Sequence, residues 1–139
     1  MNLVYNVSSS KISRINLLRI DEKNFSILEY DEFTPLLIGA NYTLIDNLLI
    51  PAFKWLGKDE IEIKPVKIIR KATGQEWNNY CEIIIHEPID PEKIEIIDSN
   101  KNSVWQYNHH LFVSDELMKR LKKLSKEELT FSVGFSHFA

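Results

Sequence analysis

Apolar and polar residues alternate in short runs along most of the chain. Leu3, Tyr5 and Val7 alternate, which predicts a strand over Met1–Val7 that Ser8, Ser9 and Ser10 then end. Lys11–Ile20 carries both spacings, since Ile12, Ile15 and Leu18 recur at helical intervals while Ile15 and Leu17 alternate. It is read as a strand near its end. Phe25–Tyr30 predicts another short strand. The spacing then changes. Over Asn41–Leu56, residues Leu44, Ile45, Leu48, Leu49, Ala52, Phe53, Trp55 and Leu56 gather on one side at 100° per residue, which predicts an amphipathic helix closed by Gly57. Pro51 either kinks this helix or opens a second short one, and Ile50 falls off the apolar face.

Ile61–Ile69 reads as a strand whose apolar phase switches from odd to even positions at Lys64-Pro65, the mark of a bulge or an edge. Gly74 marks a turn. Trp77–His86, with three consecutive isoleucines at 83–85, reads as a central strand covered on both faces. Ile94–Ile97 and Val104–Tyr107 flank a polar stretch and suggest a hairpin, and Leu111–Val113 a short strand. Ser114 is placed to cap a second helix with Asp115 and Glu116 in its first turn and a stripe of Leu117, Met118, Leu121 and Leu124. Leu129, Phe131, Val133 and Phe135 alternate cleanly with polar residues.

Asn41–Ile68 and Ser114–Val133 therefore share a helix–connector–strand layout. Strands gathered around two separated helices predict an α+β domain over residues 1–139 with a mostly antiparallel sheet and two main amphipathic helices. That sheet is expected to hold both Tyr80–Ile85 and Leu129–Phe135, burying Ile83, Ile85, Leu121, Phe131 and Val133.

With 139 residues, 44% of them hydrophobic and 27% charged, the chain can bury a substantial core without a staple. Cys81 is the only cysteine, which excludes an intramolecular disulfide and suits a reducing compartment. No apolar run is long enough for a membrane helix, and the first ten residues lack the basic start and apolar core of a signal peptide, so a cytoplasmic location is expected. The net charge of −3 argues against nucleic-acid binding through bulk charge.

Catalytic signatures are sparse. The glycines at 39, 57, 74 and 134 form no phosphate-cradling loop. His109 and His110 are adjacent and, on a strand, face opposite ways, so no metal site is expected. Cys81 and His86 are also out of phase, and Cys81 reads as a small buried residue. Lys119, Arg120, Lys122, Lys123 and Lys126 fit a solvated helix end that complements the helix dipole. The feature that stands out is an acidic run, Asp90, Glu92, Glu95 and Asp98, followed by Trp105 and Tyr107 on one strand face. Loops carry binding residues disproportionately and large aromatics anchor interfaces, so these six residues form the expected partner-binding surface.

The order of segments over Asn41–Val133 resembles a family of bacterial immunity proteins encoded beside polymorphic toxins, once a domain of unknown function and later numbered eleventh among the immunity families. The likeness is carried by Leu44–Leu56, Pro65-Val66, Tyr80–Ile85, the Asp90, Glu92 and Lys93 turn, Phe112-Val113-Ser114 with Leu117 and Leu121, and Leu129–Phe131. Residues 1–40 have no counterpart in it. The resemblance implies a non-enzymatic protein that needs no cofactor and neutralises a cognate protein toxin by tight binding. A small-molecule-binding or regulatory domain is the alternative, and the oligomeric state is left open.

Overall fold

The computed structural model describes residues 4–54, 56, 60–86 and 104–133. Its elements run β1 (Val4–Ser9), β2 (Asn16–Arg19), β3 (Asn24–Glu29), β4 (Leu36–Ile38), β5 (Thr43–Asp46), a 3-10 helix (Asn47–Phe53), β6 (Ile61–Arg70), β7 (Gln75–Ile85), β8 (Val104–Tyr107), β9 (His110–Ser114), α1 (Asp115–Ser125) and β10 (Leu129–Val133). The fold is α+β. One sheet has the order β10-β1-β9-β8 and the other β2-β3-β6-β7-β5-β4. Every pairing is antiparallel except β3 with β6.

β7 lies in the middle of the larger sheet, with Ile63 opposite Ile83 and Ile45 opposite Cys81. Its two faces enter different cores, Tyr80 on one side and Ile83 and Ile85 on the other, while Ile84 between them is only half-buried. Ile83 and Ile85 join Val7, Ile45, Phe53, Leu111, Leu117 and Leu121 in a main core that draws on both sheets and both helices and unites them as one domain. Tyr80 faces a second core with Leu17, Phe25, Leu37, Tyr42, Leu44, Val66 and Ile68. Leu17 and Leu37 come from opposite ends of the strand order, so the larger sheet curls over to bring them together.

α1 forms as the sequence predicts. The Ser114 hydroxyl accepts the Leu117 N–H at 3.3 Å, satisfying one of the orphan donors of the first turn. Asp115–Lys119 at 3.0 Å and Glu116–Arg120 at 3.2 Å line its outer face as i,i+4 pairs. The phase switch in β6 is present, but no bulge lies at Lys64-Pro65: the register against β7 is regular from Ile61 to Val66 and shifts between Val66 and Ile68, while Pro65 lies on a stretch that β3 does not reach. Ile61 and Ile63 face the main core and Val66 and Ile68 the second, so the switch marks a change of covered face.

Other expectations are corrected. The helix over Asn41–Leu56 is a strand followed by a 3-10 helix, which also removes the first copy of the supposed helix–connector–strand repeat. Leu44 and Ile45 point into different cores, and this two-sided burial imitates helical spacing. Asp46 then accepts the Leu48 N–H at 3.0 Å and starts the 3-10 helix. With three residues per turn, positions 48, 51 and 54 stack outward while 49, 52 and 53 face the core. Leu48 is therefore 76% exposed, and Ile50 packs against the main core, the reverse of the α-helical expectation.

Tyr80–Ile85 and Leu129–Val133 lie in different sheets rather than one. β10 pairs only with β1 among the described residues, so Phe131 is partly buried and Val133 is 53% exposed. Ser8 and Ser9 continue β1 opposite Thr130 and Leu129 instead of ending it. β8 forms its hairpin with β9, across Asn108 and His109, whose φ values of 48° and 66° supply the two left-handed residues of a type I′ turn. The predicted strand Ile94–Ile97, the cap at Gly57 and Phe135 lie outside the described residues.

Candidate interaction site

The acidic residues Asp90, Glu92, Glu95 and Asp98 also lie outside the described residues. The two aromatics that follow them are on β8. Trp105 is opposite Phe112, packs with Phe112 and Val4, and is only 3% exposed. An anchor needs accessible area, so this indole acts inside the domain. Tyr107, opposite His110, is half-buried beside the same cluster.

The remaining reactive side chains are occupied structurally. The Cys81 thiol donates to the Asn47 side-chain carbonyl at 3.0 Å, and burial pushes its pKa up, which makes it a poor nucleophile. His109 Nδ1 is 3.1 Å from the Gln106 amide nitrogen, while burial, and secondarily His109, lower the pKa of His110. Among the described residues no three His, Cys, Asp or Glu side chains converge as metal ligands, and no helix is long and apolar enough to cross a membrane.

The surface feature that the structure does assemble is aromatic. Tyr30 follows β3, Phe33 lies in the next loop, and Trp77 and Tyr80 are on β7. Their rings form a column from the core outward. Phe33 is 5.8 Å from Tyr80 and 4.7 Å from Trp77, and Tyr30 lies 6.2 Å from Trp77 and 6.4 Å from Phe33. Tyr80 is buried at the inner end, and Tyr30, at the outer end, is 48% exposed. The Arg70 guanidinium at the end of β6 stacks over the Tyr30 ring at 3.9 Å.

This column is held rigidly. Tyr80 donates its hydroxyl hydrogen to the Thr34 carbonyl at 2.8 Å, and burial, with the Asp46 and Glu128 carboxylates adding to it, raises its pKa and keeps it a neutral donor. Asp31 accepts the backbone N–H groups of Arg14 at 2.8 Å and Glu32 at 2.7 Å. Ser13 donates to the Glu32 carbonyl at 2.6 Å, and the Asp46 N–H donates to the Pro35 carbonyl at 2.8 Å. All but the Asp31–Glu32 bond tie the loop that carries Phe33 to a neighbouring segment.

The β2–β3 hairpin beside the column exposes Leu18, Ile20 and Leu28, the last by 60%. The outer edge of β2 is unpaired among the described residues. The hairpin is clamped from behind. Arg19 grips both carboxylate oxygens of Glu82, donates to the Asn41 carbonyl at 2.9 Å and stacks on Phe25 at 4.7 Å. The Leu17 N–H donates to the Tyr42 hydroxyl at 3.3 Å. Gly39 makes room for that tyrosine, since a Cβ there would lie 2.1 Å from the ring. On the other side of Phe33 is a pocket of about 430 Å³ with Tyr80, Leu48, Asp46, Lys126 and Glu128 in its wall.

Sequence reading missed this site because its aromatics are far apart in the chain and only the curl of the sheet joins them. The available signal is Trp77, a large aromatic at the start of the Trp77–His86 strand. No protein-family model, curated protein or solved structure matches the chain.

Proposed function

We propose that this is a cytoplasmic bacterial immunity protein that binds and neutralises a cognate toxin. The observation that carries the binding reading is the surface column of Tyr30, Trp77 and Arg70. Aromatic and arginine side chains on a rigid support are the groups that dominate binding energy at protein interfaces. A rigid loop also lowers the entropy lost on association. The toxin assignment rests on the resemblance over Asn41–Val133; of its segments, Leu44–Leu56 is a strand and a 3-10 helix here instead of the expected helix, and the Asp90, Glu92 and Lys93 turn lies outside the described residues. Neutralisation then follows from occlusion, because the bound domain covers the toxin's active site or displaces one of its elements.

Co-expression tests the reading. Cells making the toxin encoded beside this gene are expected to survive only when this chain is present, and the two purified proteins are expected to form a stable complex. Death in both cases, with no complex, would remove the assignment. A second reading, small-molecule binding, is favoured by the pocket beside Phe33 and Tyr80. It predicts a ligand-induced rise in melting temperature that Phe33→Ala abolishes.

A further inference from the structure

We infer that the Arg70–Tyr30–Trp77 surface captures a segment of the protein partner in which an acidic side chain sits beside an apolar one. This rests on the reading of the domain as a protein-binding module. Stacking on Tyr30 uses the face of the Arg70 guanidinium and leaves its N–H groups, which lie in the plane, directed outward. Among the described residues no side chain accepts a hydrogen bond from Arg70 and no carboxylate lies within ion-pairing distance of it. Several neighbouring charges are already committed. Lys67 pairs with Glu76 at 3.1 Å and Lys11 with Glu32 at 2.9 Å, while Asp31 is taken by backbone N–H groups. Lys71, next in sequence, has no carboxylate partner among the described residues. Arg70 therefore presents donors that have no side-chain partner among the described residues, over an aromatic floor.

A planar fork of N–H donors matches a carboxylate, which it can hold through two parallel hydrogen bonds. The floor supplies the apolar half of the recognition, as Phe33 and Trp77 stack beneath Tyr30, and Leu28 lies two residues before it on β3. Aromatics and arginine also suit single-stranded nucleic acid. That ligand needs a track of cations for successive phosphates, whereas this surface offers two adjacent cations, Arg70 and Lys71. The chemistry favours a protein segment.

The test uses the full chain and a displayed library of random linear peptides. Selection on the wild-type protein is expected to enrich peptides with Asp or Glu next to an apolar residue. For a synthesised winner, Arg70→Glu and Tyr30→Ala should each weaken binding by about 30-fold, the effect of one hot-spot side chain. Arg70→Lys should fall between wild type and Arg70→Glu, because it keeps the charge and loses the fork. Replacing the peptide's acid by its amide should match Arg70→Glu. Both positions are at the surface, and circular dichroism verifies that each variant folds. No enrichment, winners without an acid, equal binding by Arg70→Glu, or binding of a single-stranded oligonucleotide at this surface would each overturn the inference. A toxin that ignores the protein while peptide selection succeeds would end the immunity reading and leave this surface standing.

Discussion

Arg19 on β2 holds Glu82 on β7, although two strands lie between them in the sheet order. The curl of the larger sheet closes that gap, and the pair in turn fixes the hairpin beside the aromatic column. Glu82 is almost fully buried, and among the described residues Arg19 is its one counter-charge. Arg19→Ala is therefore expected to cost roughly 3 kcal/mol, the low end for breaking a buried pair, because a quarter of Arg19 remains accessible. Replacing both residues, as Arg19→Met with Glu82→Leu, should recover most of that loss, since no charge is then left buried. Urea unfolding of the two single variants and the double variant is the measurement. A double variant as unstable as Arg19→Ala would contradict the account.

Leu48 and Leu49 are adjacent and have opposite roles. The 3-10 register sends Leu48 outward and Leu49 into the main core. Leu48→Ser should change stability by less than about 0.5 kcal/mol, whereas Leu49→Ala should cost about 2–5 kcal/mol. An α-helix over Asn41–Leu56 would make both substitutions costly, so chemical denaturation of the pair separates the two geometries.

Tyr80 predicts an alkaline limit. Its pKa in the folded state is raised above the ordinary 10.0, chiefly by burial. The unfolded chain ionises first, so the stability linked to this hydroxyl is complete below pH 10 and declines as pH rises from there toward the folded pKa. Tyr42 is raised by burial in the same direction and adds to the slope. Tyr80→Phe should lose the hydrogen bond to Thr34, lowering stability at neutral pH by about 1 kcal/mol, and should flatten the decline above pH 10. Unfolding curves across that range, read with tyrosinate absorbance, test both parts. An unchanged alkaline slope would show that Tyr80 is not the group responsible.

Much of the fold was readable where one residue's neighbours in the chain decide its state. Ser114, Asp115 and Glu116 announce α1. Legibility failed where distant segments decide. Leu44 and Ile45 look helical only because two cores claim them, and nothing local marks β4 as a strand. Phe131 and Val133 alternate as well as any pair in the chain, yet they lie on a strand at the sheet's edge. Alternation encodes two faces and says nothing about what covers them. The candidate site was less legible than the fold. Trp105 was visible as a large aromatic, but its neighbours in the chain do not decide between core burial and an exposed anchor. Tyr30, Phe33, Arg70 and Trp77 meet only through the parallel pairing of β3 with β6 and the register of β6 with β7.

The proposed neutralisation of a toxin runs through the column that ends at Tyr30. The most direct measurement is the affinity of the purified chain for the toxin encoded beside its gene, by titration calorimetry, for wild type and for Trp77→Ala. The account predicts a tight wild-type complex and a loss of about 2 kcal/mol or more in the variant, with the fold retained. A wild-type complex that Trp77→Ala leaves unchanged would place the interface elsewhere, and no complex at all would contradict the function itself.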